Sequence, residues 1–379
     1  MLVDIQLKIN LMPVQIKKAL ISGGGTGGHI FPAIAIANAL KRRYPEIIIQ
    51  FVGASDRMEM QKVPEAGYPI KGLWIAGYQR GQIIKNILLP FKILWSLLCS
   101  FWICWRFNPD VAVGVGGYAS APMLYAASFL NVPCLIQEQN SYAGITNKIL
   151  GNKVQKVCVA YEDMSRFFPT TEIIMTGNPV RKDLKDVAAL KKEGLKFFGL
   201  KENKTTVLVI GGSLGAKSIN EAIEKHLSSI EKLNVQLLWQ TGVAYAEKSN
   251  VLCSSLNNSG IKCMPFIKEM KYAYAIADIV ISRAGALSIS ELCVLSKAAI
   301  LVPSPNVTED HQRKNAMALV DKKAALMLED KEVKEYLLSV LSELIKDEEK
   351  QLLLRSNINK LSFENADERI VDEIEKMLV

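Results

Sequence analysis

Two stretches of the chain repeat one local pattern, an apolar strand followed by glycines and then a helix. Residues 20–29 read LISGGGTGGH, and residues 208–217 read LVIGGSLGAK. Both place two glycines and then a third at matching offsets after the strand. Glycines at such a junction let the backbone turn tightly and approach a bound phosphate. The repeat predicts two nucleotide-binding α/β halves, each beginning at one of these stretches.

The rest of the chain alternates between apolar, β-branched segments and helical segments, in two series. The predicted strands are residues 17–22, 46–54, 110–117, 132–138 and 156–161; a second series opens at residues 205–216 and continues with 235–242, 261–266, 278–285 and 298–305. Helices are predicted from about residue 32 to 43, near 333–346 and near 364–379. Continuous apolar strands between helices are typical of parallel sheets covered on both faces. The predicted fold class is therefore α/β, with two doubly wound Rossmann-like domains facing a central cleft and a boundary near residues 175–183.

Charge and cysteine content limit the setting in which the chain works. Lysine and arginine exceed aspartate and glutamate by 46 − 38 = 8, which suits a nucleotide, a phospholipid surface or nucleic acid without selecting among them. The seven cysteines form no CxxC pair, so we expect buried free thiols in a reducing compartment and no zinc site. Residues 1–13 are too weakly apolar for a signal peptide, and we expect either a loose N-terminal extension or a start upstream of Met12, on a cytosolic chain.

Residues 83–107 form the most apolar segment of the chain. Its longest uncharged run, residues 93–105, is 13 residues long, whereas a bilayer span needs about 20. One interpretation is a buried helix of the core. The other is a helix lying on a membrane surface, anchored by Trp95, Trp102 and Trp105 and by basic residues that include Lys85 and Lys92. Both hold together if one face of the helix is buried and the other contacts lipid.

The first glycine run also fits the GxGxxG pattern, through Gly23, Gly25 and Gly28. A nicotinamide-dependent oxidoreductase is therefore one alternative, but it requires a ribose-binding acid about 20 residues on, and Asp56 lies past the strand end. A tight turn without a ligand is another alternative. His29 follows the glycines at a helix start, where the helix dipole disfavours positive charge. It is a candidate general base, with a helix cap as its structural alternative.

Polar residues at other predicted strand ends supply further candidates. In the first half these are Tyr118, Glu138, Gln139 and Asn140, and in the second half Gly211, Gly212 and Ser213, then Ser288, Glu291, His311, Gln312 and Asn315. The glycines before Ser213 suggest a pyrophosphate cradle, and Ser288 with Glu291 also fits a helix capping box. No DxD motif occurs. A leaving diphosphate would therefore be stabilised by helix N-termini, hydroxyls and Arg181.

Seven motifs occur in one order along the chain: GGGTGGHIFP, GVGGYASAP, EQNSYAGITNK, TGNPVR, GGSLGA, SRAGALSISE and DHQRKNA. From about Lys17 onward the chain thereby resembles the MurG family of GT-B glycosyltransferases. That family transfers N-acetylglucosamine from UDP-GlcNAc to the membrane-bound lipid I, which gives lipid II for peptidoglycan. The resemblance implies an inverting transfer to the C4 hydroxyl of the muramoyl sugar, with UDP as the leaving group.

The resemblance also implies roles for individual residues. His29 is the expected base, with Glu138 as its rival, and Gly24, Gly25 and Tyr118 are expected to contact the acceptor. Expected donor contacts are Thr26, Gly27, Gly28, Asn140, Arg181, Ser213, Ile267, Ala286, Leu287, Ser288, Glu291, Gln312 and Asn315. Among these, the backbone of Ile267 reads the uracil and Glu291 binds the ribose hydroxyls. Ser288 stands where threonine is familiar, and Arg313 stands where a small polar residue or a second glutamine is usual.

Domains, partners and location follow from the same resemblance. Residues 1–180 are the expected acceptor and membrane-docking domain, residues 181–361 the expected UDP-GlcNAc domain, and a helix at about 362–379 is expected to pack back on the first domain. The expected partners are UDP-GlcNAc, lipid I, an anionic membrane surface and cell-wall synthesis proteins, with no nucleic acid and no metal cofactor. The expected location is peripheral, on the cytoplasmic face of the inner membrane. A non-catalytic membrane-binding module is the remaining alternative.

Overall fold

A computed structural model describes residues 15–77, 87–184, 186–254, 256 and 260–379 of the chain. These residues form two compact units. The N-terminal unit contains the described residues up to Gln139, together with Ala143–Pro179 and Asn365–Val379; the C-terminal unit contains Asn140–Tyr142 and Val180–Glu364. The expectations for Lys85 and for the N-terminal extension through residue 14 lie outside the described residues.

The N-terminal unit is built on a parallel sheet of strands β1 to β7. They are β1 (Lys18–Ser22), β2 (Ile48–Ala54), β3 (Ile70–Leu73), β4 (Val111–Gly114), β5 (Cys134–Glu138), β6 (Lys156–Val159) and β7 (Glu172–Met175), in the order β3-β2-β1-β4-β5-β6-β7. Its helices are α1 (Gly27–Arg43), α2 (Glu59–Glu65), α3 (Leu89–Phe107), α4 (Ser120–Phe129), α5 (Ile145–Leu150) and, from the chain end, α14 (Ala366–Leu378). Short 3₁₀ turns lie at Gly151–Lys153 and Met164–Arg166.

The C-terminal unit repeats this architecture with a smaller parallel sheet. Its strands are β8 (Thr206–Ile210), β9 (Gln236–Gln240), β10 (Ile261–Met264), β11 (Ile279–Ser282), β12 (Ala298–Leu301) and β13 (Leu326–Met327), in the order β10-β9-β8-β11-β12-β13. Its helices are α6 (Lys191–Phe198), α7 (Lys217–Lys232), α8 (Ala246–Ser254), α9 (Met270–Ile276), α10 (Ala286–Val294), α11 (His311–Val320), α12 (Val333–Lys346) and α13 (Glu348–Asn359). Its 3₁₀ turns are Lys182–Leu184, Val187–Leu190, Val243–Tyr245 and Thr308–Asp310.

Both sheets reverse their strand order at the strand that precedes a glycine run. In the N-terminal unit β1 lies between β2 and β4, and in the C-terminal unit β8 lies between β9 and β11. Ligands of doubly wound sheets bind at the carboxyl ends of strands at such a switch point. The two glycine runs, which follow β1 and β8, therefore lie at the ligand-binding edge of their sheets.

Helix α14 completes the core of the N-terminal unit although it comes from the end of the chain. Ile370, Val371 and Ile374 are buried in the same hydrophobic cluster as residues of α1. Around them, Arg42 and Arg43 of α1 form ion pairs with acidic residues of α14: Asp367, Glu368, Asp372 and Glu375. These contacts fix α14 on the first domain of the chain.

Some sequence-based predictions about local structure are wrong. Helix α1 begins at Gly27, with Thr26 as its N-cap, and not near Pro32, which lies inside the helix. Strands β3, β7 and β13 were not predicted: β3 contains a lysine and a glycine, β7 begins with a glutamate, and β13 has only two residues. Cys253 and Cys263 form a disulfide, which contradicts the prediction that all cysteines are free thiols; the other five are unpaired.

Candidate active site in the two units

His29 lies in the first turn of α1, and the preceding glycine loop fixes its ring. Its Nδ1 is 3.1 Å from the carbonyl oxygen of Gly24 and 3.3 Å from the hydroxyl of Thr26. A carbonyl oxygen only accepts hydrogen bonds, so Nδ1 carries the proton of the neutral ring and Nε2 carries the lone pair. The loop therefore selects the tautomer in which Nε2 can accept a proton.

The ring of His29 packs on the glycines that follow β4. A Cβ atom at Gly116 would lie 3.0 Å from His29 Nε2 and 3.7 Å from the amide nitrogen of Asn147. A Cβ atom at Gly117 would lie 2.3 Å from the carbonyl oxygen of Gly24. Both glycines also have positive φ, at +93° and +86°. Glycine is required at these positions because a side chain would displace the ring or the first glycine loop.

Glu138, the rival base, lies at the end of β5 and is buried. Its Oε2 accepts hydrogen bonds from the backbone N–H of Gly144, at 3.0 Å, and from Nδ2 of Asn147, at 2.9 Å. These bonds tie the strand end to the start of α5. The structure therefore gives Glu138 a clear role in positioning Asn147 beside the histidine.

Tyr118, the expected acceptor contact, follows Gly117 and is exposed. Its ring lies against the backbone of Gly77, where a Cβ atom would come within 2.1 Å of the ring. The aromatic face is thus held at the carboxyl edge of β4, near the first glycine loop. Of the acceptor-side candidates, Gly24, Gly25 and Tyr118 all lie on this edge.

Sequence reasoning missed Glu59, which lies at the start of α2 and is 1 % exposed. Its Oε2 accepts a hydrogen bond from Gly25 N–H at 2.9 Å, and its Oε1 accepts one from Ala54 N–H at 3.0 Å. A glutamate five residues past a strand resembles an ordinary exposed helix residue in the sequence. Only the fold brings it beneath the glycine loop.

In the C-terminal unit, Glu291 of α10 lies between a cation and a phenol. Arg181 Nε donates to Oε1 at 3.0 Å, and the Tyr274 hydroxyl donates to Oε2 at 2.8 Å. Burial raises the pKa of Glu291, while Arg181 and the tyrosine hydrogen bond act in the opposite direction. Burial and the neighbouring carboxylate raise the pKa of Tyr274. Tyr274, also missed in the sequence, keeps the carboxylate oriented.

The capping box predicted from Ser288 and Glu291 is wrong. Helix α10 begins at Ala286, its N-cap is Gly285, and no side chain caps it. Ala286 is buried, and the following Leu287 and Ser288 are half-buried. Because no side chain caps the helix, the N–H groups of its first turn are left for backbone or ligand partners. Glu291 instead accepts hydrogen bonds from Arg181 and Tyr274, because it lies about one turn after Ser288 on the helix.

The second glycine loop lies beside the segment expected to read the base. Ser213 is exposed in this loop, and Gln240, at the end of β9, donates from Nε2 to the carbonyl of Gly212 at 2.9 Å. The other end of the same amide accepts the N–H of Ile267 at 2.9 Å. Gln240, a third residue missed in the sequence, therefore connects the glycine loop expected to hold the diphosphate to Ile267, which is expected to read the uracil. The backbone group of Ile267 that remains for a base is its carbonyl.

Asn140 and Asn315 are joined through the buried side-chain amide of Asn315, and Gln312 bonds to a separate backbone group. Asn315 is fully buried; its Oδ1 accepts the N–H of Ser141 at 2.9 Å, and its Nδ2 donates to Asn140 Oδ1 at 3.0 Å. Gln312 accepts the N–H of Ser304 at 2.9 Å. Asn315 thus holds Asn140 in place from within the protein. Arg313 pairs with Glu329, at 2.7 Å, and not with a residue of the site.

Helix α3 buries mostly small side chains and exposes most of its large apolar ones. It buries Ser96, Ser100, Ile103 and Cys104. Its exposed residues include Phe91, Leu94, Trp95, Leu98, Trp102 and Trp105, and we refer to these six as the α3 surface. Trp95, Trp102 and Trp105 are 56 %, 54 % and 72 % exposed. The interpretation of this segment as only a core helix is therefore wrong.

Basic residues accompany this surface. Lys71 and Arg106 lie over the ring of Trp102, at 5.3 Å and 5.7 Å from its centre, and Lys92 lies 5.1 Å from the ring centre of Trp74.

None of the described helices is long and apolar enough to cross a membrane. Among all the residues that the structure describes, no group of three or more histidine, cysteine, aspartate or glutamate residues is placed to hold a metal ion.

Two Rossmann-like units, each with a glycine loop at its switch point, place the chain in the GT-B class of glycosyltransferases. The profile of the glycosyltransferase family 28 N-terminal domain matches residues 19–159, and that of the family 28 C-terminal domain matches residues 206–370. The chain belongs to glycosyltransferase family 28 and is a hexosyltransferase. This confirms the predicted α/β GT-B fold class, and it contradicts both the nicotinamide oxidoreductase and the non-catalytic module.

Relatives narrow the comparison further. A protein of Parabacteroides distasonis is 51 % identical over 95 % of this chain and 98 % of its own length. A protein of Cytophaga hutchinsonii is 52 % identical over 94 % of this chain and 96 % of its own length. Both are named UDP-N-acetylglucosamine–N-acetylmuramyl-(pentapeptide) pyrophosphoryl-undecaprenol N-acetylglucosamine transferase. The crystal structure of Acinetobacter baumannii MurG is similar with a TM-score of 0.78 and 29 % identity, over 95 % of this chain and 99 % of that one. The predicted resemblance to the MurG family is confirmed.

Proposed function

We propose that this chain transfers N-acetylglucosamine from UDP-GlcNAc to the C4 hydroxyl of the muramoyl sugar of undecaprenyl-linked lipid I, forming lipid II. The observation that carries this proposal is the identity of about half the residues to transferases named for these substrates, over 95 % of the chain. The side chains at the two switch points support it, since one site offers a neutral base and the other a carboxylate suited to ribose hydroxyls.

His29 is the proposed catalytic base. Its Nδ1–H is held by the Gly24 carbonyl, so Nε2 accepts the proton of the C4 hydroxyl as that oxygen attacks the anomeric carbon. The hydroxyl oxygen attacks the face of the anomeric carbon opposite the UDP oxygen. The bond from the anomeric carbon to the UDP oxygen breaks as the new bond forms, which inverts the anomeric configuration. The first turn of α1 disfavours a resident positive charge on the ring and thereby favours the neutral form before attack.

The donor is proposed to bind the C-terminal unit through the edge built by α10 and the second glycine loop. Glu291 accepts hydrogen bonds from the ribose hydroxyls, and the carbonyl of Ile267 accepts one from the uracil ring. Ser213, Arg181 and the N-terminus of α10, with Ala286, Leu287 and Ser288, stabilise the diphosphate as it leaves. Asn140 and Gln312 are proposed to contact the sugar, with Asn315 holding Asn140; Thr26, Gly27 and Gly28 complete the donor contacts.

The α3 surface is proposed to dock on an anionic membrane, on the cytoplasmic face of the inner membrane, where the lipid-linked acceptor is held. Tryptophan rings suit the interface between headgroups and acyl chains, and Lys71, Lys92 and Arg106 suit anionic headgroups. Gly24, Gly25 and Tyr118 belong to the same unit as this surface and are proposed to contact the acceptor. Cell-wall synthesis proteins are proposed as further partners.

The decisive assay is transfer of labelled N-acetylglucosamine from UDP-GlcNAc to a lipid I analogue by the full-length protein. We expect transfer by the wild type, and a loss of about 10²- to 10⁴-fold in kcat/KM for His29→Ala together with loss of the acidic limb of the pH profile. His226→Ala, which removes a histidine bonded to Lys334 in the other unit, serves as the matched control. A folded wild type that transfers nothing would overturn the function, and near-normal turnover of His29→Ala would overturn the base.

A further inference from the structure

Glu59 is a buried carboxylate that binds two backbone N–H groups. It is 1 % exposed, and its two oxygens accept from Gly25 N–H at 2.9 Å and Ala54 N–H at 3.0 Å. Two glycines make room for it: a Cβ atom at Gly24 would lie 2.1 Å from Oε1, and one at Gly53 would lie 2.5 Å from Cγ. A carboxylate is costly to bury, so this arrangement calls for an explanation.

The N–H that Glu59 binds and the carbonyl that His29 binds belong to one peptide group. Gly25 N–H donates to Glu59 Oε2 at 2.9 Å, and Gly24 C=O accepts from His29 Nδ1 at 3.1 Å. A trans peptide is planar, with its N–H and C=O pointing in opposite directions. The carboxylate, the peptide and the imidazole therefore form a continuous chain of hydrogen bonds.

Such a chain transmits polarisation as well as position. A negative charge at the N–H end draws the proton of the peptide and increases the negative charge on its carbonyl oxygen. That oxygen then holds the Nδ1 proton of the imidazole more strongly. In hydrolase triads a carboxylate bonded to Nδ1–H performs this task directly, fixing the tautomer and stabilising the imidazolium. Here one peptide group separates the carboxylate from the ring.

We infer that Glu59 is a positioning residue for the His29 base and that it acts through the Gly24–Gly25 peptide. This inference rests on the function proposed above. Glu59 contacts no reacting atom in this scheme; it fixes the orientation of the peptide, holds the proton on Nδ1, and favours the protonated ring as Nε2 takes the proton of the acceptor hydroxyl.

The test is Glu59→Gln, which keeps the shape of the side chain but offers one oxygen to two N–H groups and removes the charge. We expect kcat/KM to fall about tenfold and the acidic limb to move to lower pH by about one unit, because the imidazolium loses a stabilising charge. Glu65→Gln is the matched control, since Glu65 lies on the same helix and is exposed beside Lys62. UDP affinity, measured by calorimetry, should be unchanged in both variants.

A direct readout of the ring separates positioning from folding. The chain has three histidines, so ¹⁵N-histidine NMR of the full-length protein can follow His29, identified by its absence in His29→Gln. We expect the wild-type ring in the Nδ1–H form, and in Glu59→Gln a lower population of that form and titration at lower pH. Glu59→Asp, which keeps the charge, should restore part of the wild-type titration.

Two results would overturn the inference. One is a Glu59→Gln protein whose His29 tautomer and titration match the wild type; the other is a drop in melting temperature with an unchanged pH profile, which marks a purely structural carboxylate. The NMR measurement does not depend on turnover. A failure of His29 as base would therefore appear in the His29→Ala assay, separately from a failure of the Glu59 contact.

Discussion

Arg181 and Glu291 form an ion pair within the C-terminal unit, with Nε 3.0 Å from Oε1. The carboxylate is nearly buried while the guanidinium is 45 % exposed, so the arginine covers the acid from the solvent side. Tyr274 bonds the other oxygen from within the unit. The candidate ribose site is thus held in place before any ligand enters.

Replacing Glu291 with glutamine should weaken UDP binding by about tenfold or more. The ribose hydroxyls lose a charged acceptor, and hydrogen bonds to charged groups contribute about 1.5–3 kcal/mol. Titration calorimetry with UDP measures the change. Glu247→Gln, an exposed change on α8 in the same unit, should leave the affinity as in the wild type. Equal affinity in Glu291→Gln would remove this acid from the site.

The binding of uridine should weaken as the pH falls. Burial raises the pKa of Glu291, so the ionised form that accepts two hydroxyl bonds is lost at a higher pH than for an exposed glutamate. Arg181 opposes this shift, so Arg181→Met should move the loss of affinity to still higher pH. Uridine lacks the diphosphate, which separates this effect from any contact of Arg181 with phosphate. A pH-independent affinity in both proteins would contradict the prediction.

Glu138→Gln should distinguish the two candidate bases. Because Oε2 of Glu138 accepts from Gly144 N–H and Asn147 Nδ2, a glutamine oxygen can keep both bonds. We expect a slightly lower melting temperature and a pH–rate profile that retains its acidic limb. If the limb disappears and kcat falls by about 10²-fold or more, Glu138 and not His29 takes the proton.

How much of this site the sequence could reveal depends on the range of each contact. His29 and the glycines of its own loop lie within one short segment, so the strand, turn and helix pattern was enough to single them out. Glu59, Gln240 and Tyr274 bond to residues that lie 34, 27 and 17 positions away in the sequence, and no local pattern marks them. The start of α1 was misplaced for a related reason. Proline favours the first turn of a helix, but helix α1 begins five residues before Pro32, directly after the glycine loop.

The strands show the same division between local and tertiary information. Central strands such as β4 and β8 are continuous apolar runs, and they were predicted with ends a few residues too long. Strand β13 has two residues, Leu326 and Met327, and exists because β12 offers an edge for pairing. Nothing in so short a segment separates a strand from a loop, so edge strands depend on the sheet that precedes them.

Changing Trp95, Trp102 and Trp105 together to serine should reduce binding to vesicles that contain anionic lipids. The three rings are exposed, so their loss removes apolar area without opening a core. Co-sedimentation measures binding, and transfer to a short-chain, water-soluble acceptor should stay near the wild-type rate. Tyr336→Ser, at an exposed position of α12, is the control. Unchanged sedimentation of the triple variant would show that this surface does not dock on lipid.

Lys297→Met should change stability in a pH-dependent way. Burial lowers the pKa of Lys297 to about 8, so above that pH the unfolded chain binds a proton that the folded chain does not. The stability of the wild type relative to Lys297→Met should therefore be constant below about pH 8, and rise between pH 8 and the ordinary lysine pKa of about 10.5. Denaturant unfolding followed by Trp239, the tryptophan of this unit, tests the slope. A flat difference over that interval would contradict it.

Helix α14 has a consequence for the order in which the molecule matures during synthesis. Domains generally fold as units in the order in which they leave the ribosome. Here the unit that carries His29 lacks Ile370, Val371 and Ile374 from its core until translation has passed Ile374, beyond every residue of the C-terminal unit. The segment for the C-terminal unit, by contrast, is complete by Glu364. The N-terminal unit is therefore begun first and completed second, and a chain truncated after Glu364 contains every residue of the C-terminal unit but lacks the helix that closes the core of the N-terminal unit.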